Sequence, residues 1–167
     1  EFIRTRTFYA KPGLYQLFDG QDTALIDPLQ VTDLSPLWGL LQDPKRISIL
    51  HAGGEDVELI QHQSGALPAH THDTQLAAAF LGLGTQLGFA PLVEKVLGVS
   101  LEKAHARTDW LARPLSSAQL NYAADDVIYL YPLYQQLMEQ LAQKGLQSWF
   151  IQECERAVKR RSESVAP

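Results

Sequence analysis

Two adjacent aspartates stand inside an otherwise apolar stretch, NYAADDVIYL, at residues 121–130. Tyr122 precedes Asp126 by four residues, and in a helix this spacing places both side chains on one face. A carboxylate at the margin of a core must be paired, hydrogen-bonded or bound to a metal ion, because leaving it bare is costly. The stretch therefore predicts either a structural Tyr–Asp contact or a carboxylate that takes part in metal chemistry.

Helical periodicity separates the two aspartates from each other. At about 100° per residue, one apolar stripe collects Leu120, Ala123, Val127, Leu130, Tyr134, Leu137 and Leu141. Relative to Asp126, this stripe is centred near roughly +80° and Asp125 falls near roughly −100°. We therefore expect Asp125 to be a solvated surface charge and Asp126 to share a half-buried face with Tyr122.

Two further acids lie on other predicted elements. Asp56 falls in the first turn of a helix that directly follows a strand, and Glu1 lies on the first strand. Three acids on three separate elements are what a hard divalent cation such as Mg²⁺ or Mn²⁺ would require. Each also has a simpler explanation, since Asp56 would stabilise a helix N-terminus and Glu1 would be a terminal charge. Spacing alone leaves both interpretations open.

The elements that must position these acids are strands in the first part of the chain and mostly helices afterwards. The predicted strands are residues 1–8, a hairpin of 13–20 and 22–29, residues 46–52 and a brief strand that begins at 70. The predicted helices are 35–42 with Ser35 as N-cap, 55–63, the helix that ends near 82, 91–98 opened by Pro91, and a long helix after a Ser116–Gln119 capping box. Residues 100–115 read as a loop, and the polar tail 153–167 is expected to fray at its end.

Composition limits the classes of protein to consider. The chain has 167 residues, of which 46% are hydrophobic, and this suits one globular domain with a sizeable core. Its net charge of −5 gives no general basic surface for nucleic acid. No apolar run is long enough to cross a bilayer, and a single cysteine cannot form an internal disulfide. These features predict a cytoplasmic protein.

Other motifs predict less chemistry. GLGTQLG is not a dinucleotide-binding fingerprint, because its last glycine is one position too far and it follows a helix, so no nucleotide cofactor is expected. His70 and His72 share a strand face but have no evident third zinc ligand, which favours a structural role. Cys154 lies among charged residues of a polar helix, which does not indicate a nucleophile. Four basic residues of the loop are candidates for a phosphate path or simply solvated: Lys103, His105, Arg107 and Arg113.

Four segments together resemble the bacterial ribonuclease D family, in the DEDDy group of 3′-5′ exonucleases. They are EFIRTRTFY, LYQLFDGQDTALIDPL, HAGGEDVELI and ARTDWLARPLSSAQLNYAADDVIYLYPLY, and the likeness covers nearly the whole chain. The family motifs are D-x-E, a central Asp after a strand, and Y-x-x-x-D. Glu1 matches the Glu of D-x-E, Asp56 matches the central Asp, and Tyr122 with Asp126 match the last motif. The resemblance therefore selects Asp126, the same aspartate that helical periodicity places on the half-buried face.

The resemblance implies an α/β fold of the ribonuclease H-like type, with a mixed sheet, helices on both faces and the site at one sheet edge. It also implies a metal-dependent 3′-5′ exoribonuclease that trims single-stranded 3′ ends of structured RNAs such as tRNA precursors and releases nucleoside 5′-monophosphates. Two divalent ions, Mg²⁺ or Mn²⁺, would be held by Glu1, Asp56 and Asp126, and Tyr122 would orient the attacking water. Phe2 and His51 adjoin the motif residues, and we expect them either to contact the terminal nucleotide or to pack structurally.

Two other functions stay open at this point. The same acids would serve a DNA-directed 3′-5′ exonuclease, since they do not read the 2′-OH, and a non-catalytic RNA-binding module would keep the fold. Residues 1–167 are expected to be one exonuclease domain with a truncated first strand and no HRDC module. The first Asp of D-x-E would lie two residues before Glu1, so we expect this chain to bind at most one metal ion weakly and to show little activity.

Overall fold

The computed structural model of the chain describes residues 1–4, 9–102, 105 and 107–164. Its strands are short: β1 (Phe2–Ile3), β2 (Lys11–Pro12), β3 (Tyr15–Phe18), β4 (Thr23–Ile26), β5 (Ser48–Leu50) and β6 (Thr71–Asp73). They pair as β1 with β2 and β3 with β4, both antiparallel, and β5 with β6 in parallel. The sequence predicts one mixed sheet, whereas the described strands form three separate pairs, because each strand is only two to four residues long and pairs along one edge.

The predicted hairpin is β3–β4, with Tyr15 opposite Ile26 and Phe18 opposite Thr23. Its turn is closed by Asp19, whose carboxylate accepts hydrogen bonds from the backbone nitrogens of Gln21 (2.9 Å) and Asp22 (2.8 Å). An aspartate that bonds to nitrogens two and three residues ahead is a common local signal for a turn. The hairpin prediction is confirmed.

Seven helices are described: α1 (Ser35–Gln42), α2 (Gly54–Ser64), α3 (Thr74–Phe80), α4 (Phe89–Leu97), α5 (Ser117–Ile128), α6 (Leu130–Gln143) and α7 (Gln147–Ser164). Two predicted helix starts are wrong. Ser35 is the first residue of α1 and its N-cap is Leu34, whose side chain makes no capping bond; the Asp33 carboxylate, one residue earlier, accepts from the Ser35 nitrogen (3.0 Å). Helix α4 begins at Phe89, so Pro91 lies inside its first turn, where a missing N–H is tolerated.

The long helix predicted after Ser116 is two helices. Its start is confirmed, since the Ser116 hydroxyl accepts from the Gln119 nitrogen (3.1 Å) and the Gln119 side chain accepts from the Ser116 nitrogen (3.0 Å). The helix is then interrupted at Tyr129, which closes α5 and precedes α6. Pro132 explains the break, because it has no N–H to donate and its ring crowds the carbonyl four residues earlier.

The break changes which residues of the predicted stripe are buried. Ala123, Leu137 and Leu141 are fully buried, but Leu120 is 36% exposed, so its predicted place in the core is wrong. Leu133, which the continuous periodicity omits, is fully buried. A stripe drawn across two helices misplaces some of its residues, because each helix orients its own apolar face.

Two clusters of buried hydrophobic residues are found in the described part of the chain. The larger one lies among α3, α4, α6 and α7 and contains Leu92, Leu137 and Phe150. The smaller one contains Leu14, Trp110 and Ala123, with Ile3 and Tyr122 packed against it. The smaller cluster carries residues next to both Glu1 and Asp126, so it supports the predicted site.

Three sequence predictions concern the ends and the loop. The described part of residues 100–115 contains no helix or strand, as predicted. The polar tail forms the second half of α7, and its expected fraying at 165–167 lies outside the described residues, as do residues 5–8 of the first predicted strand. Across the described ranges, none of the helices has the length and apolar character needed to span a bilayer. A cytoplasmic location stays a prediction.

Candidate active site

Glu1 is held in place through backbone pairing with the segment that leads into β3. Its nitrogen donates to the Leu14 carbonyl (2.7 Å), and its carbonyl accepts from the nitrogens of Gly13 (2.9 Å) and Leu14 (3.2 Å). The Gln16 side chain donates to the Glu1 carboxylate at 3.4 Å. These contacts direct the Glu1 side chain towards the helices that carry the other two acids.

Asp126 projects from the last turns of α5 towards Glu1. Its carboxyl shares a hydrogen bond with the Glu1 carboxylate, and burial, together with that bond and the Glu1 charge, raises the pKa of Asp126 to about 8. Asp125, the next residue back, is exposed. The periodicity argument is therefore confirmed for both: one aspartate faces solvent and the other faces the site.

Asp56 lies in the first turn of α2, just after β5. Burial raises the pKa of Asp56 to about 6, and the negative charges of Glu1, Asp73 and Glu55 contribute to the increase. Glu1 acts on both Asp56 and Asp126, so the three acids share one electrostatic environment. Like charges that raise one another's pKa are stabilised by a cation placed among them.

The donor set fits a hard divalent ion, since it consists of carboxylate oxygens of Asp56 in α2, Asp126 in α5 and Glu1, which precedes β1 and is not part of it as predicted. Within the described part of the chain, however, no three His, Cys, Asp or Glu side chains are already arranged as a metal-binding group. The assignment of Glu1, Asp56 and Asp126 as metal ligands therefore stays a proposal.

Tyr122 lies one turn before Asp126 on the same face of α5. Its ring packs against Trp110, with 6.1 Å between ring centroids, and against His105 at 6.3 Å. Burial raises the pKa of Tyr122 above its ordinary value, and the charges of Asp126 and Glu1 raise it further. The hydroxyl is therefore protonated at neutral pH, which makes it a hydrogen-bond donor and not a base.

The loop segment TDWLARPL supports this arrangement through contacts of Trp110 and Arg113. Trp110 is fully buried and lies so close to Gly13 that a Cβ on Gly13 would come within 2.6 Å of the Trp110 Cβ. Arg113 donates to both oxygens of Asp27 (2.9 and 2.8 Å) and to the Gly13 carbonyl (2.7 Å). These bonds favour a structural role for Arg113 over a place on a phosphate path; Lys103 lies outside the described residues.

A cleft of about 370 Å³ opens beside Asp56. Phe2 and Asp56 both line it, together with Ala52, Gly54, Glu55, Asp73, Gln75 and Arg161. The structure thus brings the predicted substrate contact Phe2 and the acid Asp56 to one opening. The sequence did not predict a role for Arg161, because the residues that it contacts lie about a hundred positions earlier and leave no local signal.

Asp73 is an acid of the cleft that sequence reasoning also did not select. It accepts hydrogen bonds from the backbone nitrogens of Ala52 (3.0 Å), Gly53 (2.9 Å) and Gln75 (2.9 Å). It is the N-cap of α3, a role that its place before Thr74 and Gln75 would have indicated. Both of its carboxylate oxygens therefore accept hydrogen bonds from the backbone.

His51 lies beside this region but does not line the cleft. Its Nδ1 is 2.8 Å from the Thr74 hydroxyl and its Nε2 is 2.8 Å from the Leu87 carbonyl. Because both ring nitrogens have protein partners, any contact with a nucleotide would involve the ring face. Its predicted role in substrate binding stays a prediction.

The rival motifs are structural. His72 is buried and its Nδ1 is 2.8 Å from the Tyr134 hydroxyl, as expected for a core histidine. Cys154 is buried, and burial raises the pKa of its thiol to about 11, which excludes a reactive thiolate near neutral pH.

Comparison with known proteins decides the family. A 3′-5′ exonuclease domain family matches residues 1–142. The chain belongs to this 3′-5′ exonuclease family. Ribonuclease D of Escherichia coli is 50% identical over 167 residues, which are all of this chain and 44% of that protein. The predicted resemblance to ribonuclease D is thereby confirmed.

Solved structures agree with this assignment of the exonuclease domain. The crystal structure of Escherichia coli RNase D, described as an exoribonuclease involved in structured RNA processing, has a TM-score of 0.93 and 49% identity over 96% of this chain and 43% of that chain. Brucella melitensis NrnC with bound Mg²⁺ has a TM-score of 0.81 and 26% identity over 91% of this chain and 75% of that chain. NrnC bound to pGG gives 0.82, again at 26% identity with the same coverage.

These matches confirm the ribonuclease H-like exonuclease fold. The chain spans less than half the length of the ribonuclease D proteins that it matches.

Proposed function

We propose that this chain is the catalytic domain of a metal-dependent 3′-5′ exoribonuclease that trims single-stranded 3′ ends of structured RNAs such as tRNA precursors. The observation that supports this most is the closeness of Glu1 to Asp56 of α2 and Asp126 of α5, where burial and the Glu1 charge raise the pKa values of both aspartates. Such a cluster is unfavourable unless a cation neutralises it. The products would be nucleoside 5′-monophosphates.

The three acids divide into two sets of metal ligands. Glu1 and Asp126 already share a hydrogen bond, so we assign them together to the ion that activates water, and Asp56 to the second ion. Two divalent ions held by these residues, Mg²⁺ or Mn²⁺, would lower the pKa of the attacking water and neutralise charge on the attacking and leaving oxygens. The Mg²⁺ bound to NrnC supports the class of metal.

Tyr122 and Phe2 have roles in positioning. The protonated hydroxyl of Tyr122 lies next to Asp126 and would donate a hydrogen bond that orients the attacking water. Phe2 lines the cleft beside Asp56, where its ring would stack on the terminal base. His51 would contribute only its ring face.

The test is the release of 5′-mononucleotides from a uniformly labelled single-stranded RNA in Mg²⁺ or Mn²⁺, with excess chelator as the control. From a form extended upstream so that an Asp lies two residues before Glu1, we expect mononucleotides from the start of the reaction, no release with chelator, and faster degradation of RNA than of DNA of the same sequence. Faster degradation of DNA would indicate the DNA-directed exonuclease. RNA binding that is unchanged by chelator, with no nucleotide release, would indicate a non-catalytic binding module.

A further inference from the structure

Three charged residues far apart in the sequence meet beside the cleft. The Glu58 carboxylate of α2 accepts a hydrogen bond from the Arg4 guanidinium (2.8 Å) through one oxygen and from the Nε of Arg161 through the other. Glu58 is only 8% exposed. We name these residues the Arg4–Glu58–Arg161 triad.

The triad has a surplus of positive charge. One arginine is enough to neutralise Glu58, and the second leaves a net charge of +1. Within the described residues, neither arginine lies within 4.0 Å of a carboxylate other than Glu58. The extra positive charge is therefore not neutralised by another ion pair among the described residues. It lies beside a cleft whose acidic residues favour cations.

Arg161 carries this charge to the cleft. Its guanidinium lines the opening together with Phe2 and Asp56, and its side chain is 39% exposed. It lies over Gly54, where a Cβ would be 3.4 Å from the guanidinium carbon. Only its Nε is bonded to Glu58, and no other hydrogen bond of this guanidinium is found among the described residues, so its two terminal nitrogens remain available as donors.

A guanidinium fixed at one nitrogen and open at two matches the geometry of a phosphate. A polyanionic substrate that enters an acidic cleft needs such a cation, because the acids repel its backbone where a metal ion does not shield them. We propose that Arg161 binds a phosphodiester of the RNA chain other than the one being cleaved, and that Glu58 positions it. This inference rests on the proposed function.

The first test measures binding without turnover. In an Asp126→Asn background, affinity for a single-stranded RNA oligonucleotide is measured across a range of salt concentrations for Arg161→Gln and for Arg160→Gln. Arg160 is the matched control, since it is adjacent, 63% exposed and paired with Glu153 at 2.8 Å. We expect Arg161→Gln to weaken binding about tenfold and to reduce the slope of log K against log salt by about 0.7, the value for one phosphate contact with a single strand.

The second test separates binding from chemistry in the active chain. Arg161→Gln should raise KM about tenfold with kcat nearly unchanged, Arg161→Lys should recover part of the loss, and Arg160→Gln should match the parent. Glu58→Gln should also raise KM, because the guanidinium loses its fixed orientation. Melting temperatures show whether each variant is folded.

Three results would overturn the proposal. Equal affinity and salt slope for Arg161→Gln and Arg160→Gln would leave Arg161 a structural residue. A change in kcat alone would place the contact at the scissile phosphate. If Arg161→Gln weakens inhibition by a nucleoside 5′-monophosphate as much as it weakens RNA binding, the site takes the phosphate of the product. Failure of the form extended by an Asp two residues before Glu1 to release mononucleotides would reject the proposed function instead, and the binding test would still report on Arg161.

Discussion

Asp125 and Asp126, which are adjacent in α5, differ in their exposure and in their contacts. Asp126 is half-buried and bonded to Glu1, whereas Asp125 is exposed. We expect Asp126→Asn to lower kcat by a factor on the order of 10² or more, as for removal of one group that stabilises transition-state charge. Asp125→Asn should retain nearly full activity. Mononucleotide release by the two variants is the measurement, and an equal loss from both would contradict the assignment.

The Tyr122 hydroxyl tests whether the tyrosine acts on water or only packs. Tyr122→Phe keeps the ring against Trp110 and removes the donor. We expect kcat to fall by a factor of about 10–100, the range for groups that orient a reactive centre without binding the metal, with RNA affinity unchanged. Single-turnover rates and oligonucleotide binding give the two quantities. Full activity would assign Tyr122 to the core.

For single residues, the sequence predicts the direction of a side chain correctly where one helix contains the whole pattern. Periodicity alone separates Asp126 from Asp125, because both lie within α5. The proposal that Glu1 and Asp56 are metal ligands depends on the family resemblance, since nothing in their own neighbourhoods distinguishes a ligand from an ordinary surface acid. Arg161 is beyond both methods, because its partner Glu58 lies 103 residues earlier and only the packing of α7 on α2 joins them.

Among the elements, the loop between α4 and α5 connects Tyr122 to the segment that holds Glu1. Trp110 supports Tyr122 on one side and touches Gly13 on the other. We expect Gly13→Ala to destabilise the fold by about 1–3 kcal/mol, the usual cost of overpacking, and to lower activity because Tyr122 and Glu1 are displaced together.

Gly39→Ala is the matched control for this substitution. Gly39 lies inside α1, and a Cβ there would meet nothing within 4 Å. Alanine should therefore stabilise the helix by about 0.5–1 kcal/mol. Chemical denaturation measures both changes, and a neutral Gly13→Ala would show that the loop can move away without cost.

The α5–α6 break shows why element boundaries are harder to predict than the elements themselves. The Ser116–Gln119 capping box is a local signal and predicts the start of α5 correctly. The interruption at Tyr129 has an equally local cause in Pro132, but an unbroken apolar periodicity conceals it. The pairing of the short strands depends on contacts between distant segments, so the hairpin could be predicted and the separation of the three pairs could not.

For the molecule as a whole, the acid cluster links stability to pH and metal. The pKa values of Asp56 (about 6) and Asp126 (about 8) are raised on folding, so the stability that their protonated forms contribute is complete below the unfolded pKa and is lost as pH rises through these values. The metal-free chain should therefore melt at a lower temperature at about pH 9 than at about pH 6, and Asp126→Asn should reduce that difference.

Divalent metal should reverse this loss. Because ligands must release protons to bind, Mg²⁺ should raise the melting temperature more at the higher pH. At about 100 times its Kd, a ligand adds about 2.7 kcal/mol, which corresponds to several degrees at about 2–4 °C per kcal/mol for a chain of this size. An equal shift at both pH values, or an equal shift in Asp126→Asn, would show that the ion binds elsewhere.

The Asp73 carboxylate has a consequence for the exchange of backbone protons with solvent. It accepts from the nitrogens of Ala52 and Gly53, in a loop where Ala52 is exposed and has a positive φ of 52°. An exposed residue such as Ala52 ordinarily exchanges its amide hydrogen for deuterium quickly, whereas Gly53 is buried; both amides can exchange only when their hydrogen bonds to the Asp73 carboxylate open. We expect both to be slow in deuterium exchange followed by NMR, and Asp73→Ala to make them fast. The loop that leads from β5 to Asp56 would then open and close as one unit with the start of α3.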